Sequence, residues 1–382
     1  MKKIFISIIF ISLIYGCVRD PHSVGSSLLG PDYEGYQIID TSLIAIYDTT
    51  FSNPLLNGTS KRFLVGKTDS IETESLIKFS NDIADSLENV KIDSIQLILT
   101  PDYKWNHNLP KLTFEVGVIN STWYDSTTKS NQNFINPISS TIQFTDSMIV
   151  GKQISILLDT NLIGRWKSSK KDSLTKDWGF VIRAKSGSGI IGFSSFNSTV
   201  KPMLVIKYKK TGSDSLYVVS TSSGNDTYIA KNKISNFNDL IVQGATHFQS
   251  RIAFNLKGLG ENAIINNAIL ELSSNSKNNI LGTNSKDSLQ CFLAYSKDPN
   301  KVDSISYLSI LGRKILVKAD TLIYNFNTTI FAQQFVRDTL LNYSFVFKTL
   351  ADVELSDKFI FYNHNSQQTL RPRLKLIYSL KK

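Results

Sequence analysis

Residues 201–208 read KPMLVIKY, and residues 371–378 read RPRLKLIY. Along the first string Met203, Val205 and Lys207 take one face, and Leu204, Ile206 and Tyr208 take the other. A period of two is the signature of a β-strand with distinct faces. Pro202 and Pro372 sit just before or at the strand start, where the missing N–H costs least. One strand written twice, 170 positions apart, points to a module that occurs twice.

Working outward from this pair, the two halves align over most of the chain. Asp40-Thr41-Ser42-Leu43 pairs with Ser213-Asp214-Ser215-Leu216, and ESLIKFS (74–80) with QSRIAFN (249–255). VKIDSIQLIL (90–99) pairs with IINNAILELS (264–273), and DWGFVIRA (177–184) with NYSFVFKT (342–349). The copies end on IIGFSSFNSTVKPMLVIKY and FIFYNHNSQQTLRPRLKLIY. The order is kept throughout, and a few short insertions account for the drift in offset.

Both copies read as β structure. Ile95, Leu97 and Leu99 alternate with Gln96 and Ile98, and Phe180 and Ile182 with Val181 and Arg183. Between such runs Ser, Thr, Asn and Asp cluster, residues that offer the backbone local hydrogen bonds and so favour turns. Only 160–173 and 329–339 have room for short helices. A chain of 382 residues exceeds one comfortable core. The expected fold is all-β, with two tandem jelly-roll-like antiparallel β-sandwiches at 40–210 and 211–382. The polar, glycine-containing stretch KKTGSDS is the expected boundary, and each half is expected to fold alone.

Several strings resemble the DNRLRE-type domain, which is related to disaggregatase proteins and similar to certain carbohydrate-binding modules. They are DTYIA (226–230), AILEL (268–272), VINSTWYDST (118–127) and the closing K/R-P-x-L-x-I-x-Y strands. The second copy lacks the tryptophan of that pattern. The resemblance implies a β-sandwich with a binding role. VGSSLLGP (24–31) and IDSIQLIL (92–99) are similar to segments of Bacteroidota-type lipoproteins.

The N-terminus MKKIFISIIFISLIYGC has two lysines, then an apolar run from Ile4 to Ile14 too short to span a bilayer. Ile14-Tyr15-Gly16-Cys17 resembles a lipobox, although Tyr15 stands where a small or aliphatic residue is usual. The expectation is a signal peptide at 1–16, a lipidated Cys17, and a linker over 17–39. The other cysteine, Cys291, lies in the apolar run LQCFLAY and is expected to pack as a small hydrophobe, so no disulfide forms. The net charge of +10 is spread along the chain without a basic run, which argues against nucleic acid as a partner. The expected partner is a membrane, through the lipid, with a glycan or an envelope protein as further candidates.

GSGIIG (187–192) fits a dinucleotide fingerprint by letter, but a β-branched, Ser-rich segment follows where a helix is required. It is expected to be a hairpin turn. His22, His107, His247 and His364 have no metal-ligand spacing, and there is no G-x-S-x-G or calcium-loop motif. No cofactor is expected, although sandwiches of binding modules often hold a structural calcium. All four tryptophans fall in the first copy. Trp123 and Trp178 read as packing residues, and Trp166 as the apolar face of a short helix. Trp105, in PDYKWNHNLP with Tyr103, Asn106 and Asn108, combines an aromatic face with amide donors as sugar-binding loops do. Three functional classes follow: a non-catalytic lipid-anchored envelope protein, a carbohydrate-binding surface protein using the first domain, and a polysaccharide hydrolase. The first is favoured, at the outer membrane on its periplasmic or external side. The second requires Trp105 to be exposed beside other aromatics, and the third a cleft with paired carboxylates.

Overall fold

A computed structural model describes residues 35–381 except 81–82, 84–85, 106–110, 120–122, 129–137, 146–149, 165–166, 168–178, 234–237, 261, 286, 299–300, 319 and 339–340. The signal segment, Cys17, His22, His107, Asn106, Asn108, Trp166 and Trp178 lie outside the described residues.

The fold is all-β and antiparallel, with its strands arranged as sandwiches. It opens with β1 (Tyr36–Ile44), β2 (Tyr47–Ser52), β3 (Arg62–Lys67), β4 (Ile71–Phe79), β5 (Val90–Leu99) and β6 (Pro101–Trp105). Next come β7 (Lys111–Val118), β8 (Ile138–Thr145), β9 (Ile154–Leu158), β10 (Phe180–Ser186), β11 (Gly189–Ser194) and β12 (Met203–Lys210). The long β13 (Leu216–Asn232) leads to β14 (Leu240–Gln243), β15 (Phe248–Ala253), β16 (Ile264–Asn275), β17 (Leu289–Ser296) and β18 (Ser304–Leu311). The chain ends with β19 (Arg313–Lys318), β20 (Thr321–Asn327), helix α1 (Thr329–Arg337), β21 (Asn342–Thr349), β22 (Lys358–Phe361) and β23 (Arg373–Lys381).

Alternation sets the cores. Ile95, Leu97 and Leu99 of β5 and Leu204 and Ile206 of β12 are fully buried in the first core. Leu270, Leu272, Leu374 and Leu376 take the corresponding places in the second, which sets Leu97 against Leu270 and shifts the 90–99 and 264–273 alignment by one residue. Cys291, on β17, is buried in the same core. At GSGIIG the structure has a turn, with Gly187 at φ 93°, but not the expected hairpin. β10 pairs with β4 and β7 while β11 pairs with β3 and β6, so the two strands it joins are not neighbours. Helix α1 occupies the 329–339 segment, and residues 162–164 are helical in the first copy.

The copies do not sit side by side as contiguous blocks. β3 to β13 form an 11-stranded sheet system, whereas β1 and β2 join β14 to β23 in a 12-stranded one. β1 pairs along its whole length with β23, and β2 with β15. In the first sandwich those two places are filled by β13, which pairs with β12 and then with β4. Each copy's opening segment therefore completes the other copy's sandwich.

This corrects the reading of KKTGSDS as a linker. With Gly212 at φ 80°, it is a tight turn that folds β13 back onto β12, Lys209 opposite Leu216. So short a connection makes β12 the neighbour of the first half of β13, before the strand runs on to β4. The register of the repeat is corrected too. Ile377 faces Asp40 while its equivalent Lys207 faces Val218, so Asp40 matches Val218, not Ser213. By the same register YDTTF (47–51) matches NDTYI (225–229).

Candidate functional site

Three regions concentrate buried polar groups: the seam between the sandwiches, a pair of carboxylate latches, and a pocket in the second sandwich.

The seam takes two of the sequence-derived candidates out of play as a sugar surface. Tyr103 and Trp105 lie on β6, not in a loop, and are 0% and 1% exposed. Trp105 Nε1 donates to the Ile280 carbonyl at 2.9 Å, and Lys104 and Thr283 exchange hydrogen bonds of 2.8 and 2.7 Å alongside. Tyr103 donates to Asp357 Oδ1 at 3.0 Å and accepts from the Ser356 N–H. Asp357 also receives the Gly282 N–H and the Ser285 hydroxyl. Burial and the Asp357 charge push the Tyr103 phenol well above its ordinary pKa, so it stays a donor. A Cβ on Gly282 would lie 2.1 Å from the Tyr103 ring, so glycine is required for this approach. The pattern BiBiB along PDYKW is a strand pattern, and a nearby NHN run masked it.

The loop 350–357 plugs the same end of the first sandwich. Leu355 joins the first core, and the Val353 carbonyl accepts from Tyr228 (2.8 Å) and Ser60 (3.0 Å). His247, fully buried at φ 54°, meets Asn57 at 3.1 Å through Nε2 and Asp352 at 3.4 Å through Nδ1. It is a structural tie rather than a ligand in waiting. Among the described residues no three His, Cys, Asp or Glu side chains gather in a way that could hold a metal.

The latches repeat with the exchanged strands. Asp226 on β13 accepts the Phe196 N–H at 2.5 Å, and Asp48 on β2 accepts the His364 N–H at 2.6 Å. Asp48 also meets His364 Nδ1 at 2.6 Å. Burial raises the Asp226 carboxyl to about 7, against the pull of the Phe196 hydrogen bond. Each aspartate ties an exchanged strand to the segment before the closing strand.

The pocket, about 380 Å³, lies at the end of β15, where Ile46 and Tyr47 of the N-terminal segment meet the core residues Phe254, Phe335 and Tyr343. Tyr47, Phe254, Phe335 and Tyr343 give it aromatic walls, and Arg251 lies within it. Arg251, only 3% exposed, sits mid-strand on β15. Its Nε donates to Ser344 Oγ at 2.8 Å, and its guanidinium lies 5.8 Å from the centre of the Tyr47 ring. Among the described residues that is its one hydrogen bond, which leaves the two terminal nitrogens without a protein acceptor. Burial presses its pKa down while Tyr47 and Asp298 pull it back, and a guanidinium so far above neutrality remains charged. Lys257 and Asn255 lie at the exposed mouth. No carboxylate lines the cavity.

Sequence reading did not single out these residues. The available signal was the alignment of ESLIKFS with QSRIAFN, which sets an arginine in a buried strand where the other copy has Leu76.

No family model matches the chain, and no curated protein does. Among solved structures it is similar to one from Parabacteroides distasonis ATCC 8503, named "a putative secreted protein", at 12% identity and a TM-score of 0.20. That similarity covers 89% of this chain and 88% of that one.

Proposed function

We propose that this is an exported, lipid-anchored protein of the cell envelope with a non-catalytic binding or structural role. The observation that carries the anchoring is the string MKKIFISIIFISLIYGC, a short apolar run ending at Cys17. Among the described residues no helix is long and apolar enough to cross a membrane, so in this reading retention falls to the lipid. An acylated cysteine carrying two or three chains holds a protein durably, where one chain gives only marginal binding. The binding role draws support from the locked pair of sandwiches, which would hold the second-sandwich pocket in fixed geometry.

Cys17→Ser is expected to move the protein from the membrane fraction to the soluble one. Detergent-phase partitioning of wild type and variant checks this, and equal partitioning of the two would refute the lipid anchor.

A further inference from the structure

We propose that the pocket around Arg251 binds a small organic carboxylate with an apolar ring or chain. This deepens the binding role proposed above, and it stands or falls separately from the anchor, which partitioning alone reads.

Arg251 is only 3% exposed, with Tyr47 and Asp298 offsetting part of its charge. Its terminal nitrogens are not among the buried atoms that lack a partner, so they keep access to the cavity, where an anion would compensate the rest. Arg251 has one neutral acceptor, Ser344, at Nε. The terminal pair of nitrogens is the fork that takes a carboxylate through two parallel hydrogen bonds. Around it Tyr47, Phe254, Phe335 and Tyr343 provide aromatic surface suited to an apolar body. Tyr343 is fixed by its hydroxyl, which donates to Asp338 at 2.8 Å. Arg251 and Lys257 are the charged residues on the lining, while Asp298 acts on Arg251 from beyond it and Asp338 is taken up by the Tyr343 hydroxyl, so the charge facing the cavity favours an anion.

The repeat shows that the arginine is not demanded by the scaffold. Its equivalent, Leu76, is fully buried with Ile119, Trp123, Val181 and Ile229. The equivalent of Ser344 is Gly179, which has no side-chain hydroxyl to accept from an arginine. The same strand pair is thus built with a plain apolar outer face in one copy and with a braced guanidinium in the other.

The test is calorimetric titration of the chain from residue 18 onward, which holds every described residue. Benzoate, cyclohexanecarboxylate, benzamide and inorganic phosphate are the probes. The two carboxylates are expected to bind, at least about tenfold tighter than benzamide or phosphate, the scale of a charge-assisted pair. Arg251→Leu should abolish that preference while keeping a cooperative melt, and Arg251→Lys should retain part of it. Should Arg251→Leu not fold, Arg251→Gln makes the same comparison with a polar side chain. Carboxylates that bind no better than benzamide, or bind equally to the variants, would show that Arg251 only braces Tyr47 and would overturn the proposal.

Discussion

Leu76 and Arg251 stand at the same place on equivalent strands, β4 and β15, and meet opposite environments. Leu76 lies under Trp123 among aliphatic neighbours, whereas Arg251 lies beside a cavity with its Nε on Ser344. The inward positions of the same strands scarcely differ: Ile77 and Phe79 answer to Ile252 and Phe254. The inner faces are held to close packing, where a change of one methylene is felt. The outward positions are free to diverge, and there one copy has an arginine that reaches a pocket walled by core residues of the same sandwich.

The exchange of opening segments is the feature this comparison depends on, and cutting the chain tests it most severely. Pieces 36–210 and 211–382 each lose the segment that completes their sandwich, and each carries the other's. Both are expected to melt without cooperativity and to aggregate through the bared edges of β12 and β23. Residues 54–233, which hold β3 to β13 entire, should melt cooperatively, at a lower temperature than the whole because the 350–357 plug is gone. Cooperative melts from both 36–210 and 211–382 would break the exchanged topology.

Why the exchange was not legible follows from the repeat itself. KPMLVIKY and RPRLKLIY present nearly the same edge, so alternation predicts that an opening strand will pair with a closing strand but not with which one. The choice is made by connection length, and the turn at Gly212 allows only the nearest partner. Alternation in β5 and β12 was fully readable because burial of one face leaves no freedom, whereas β10 is buried on both faces. Trp105 was misplaced because its cover comes from Ile280 and Gly282, far along the chain, and no local pattern reports it. Arg251 was readable only by setting the copies against each other.

A swap of residues between copies sharpens the comparison next. Leu76→Arg would bury a guanidinium among Ile119, Trp123, Val181 and Ile229, where Gly179 replaces the accepting Ser344. The expected cost is about 3–5 kcal/mol, the range for an uncompensated buried charge. The reverse change, Arg251→Leu, should be close to neutral or stabilising, since it removes a buried charge. Urea midpoints of the two variants check this, and equal losses would mean that the two outer faces are not functionally distinct.

The smallest effect is the response of the Asp226 latch to pH. Asp226 and Asp48 accept equivalent backbone N–H groups, and burial raises the Asp226 carboxyl to about 7. A carboxyl that is harder to ionise when folded than when unfolded makes the native state bind the extra proton. Its contribution is therefore complete below the unfolded value near 3.8 and declines as pH rises through about 7. Stability should fall across that window, with a slope of up to about 1.4 kcal/mol per pH unit where the proton uptake is full. Asp226→Asn keeps an oxygen for the Phe196 N–H and carries no charge, so its stability between pH 4 and pH 7 should be flatter than that of the wild type. Denaturant midpoints at a series of pH values read the difference directly. An unchanged slope in the variant would mean that the charged aspartate sits in the fold at no cost, and that burial does not hold its proton.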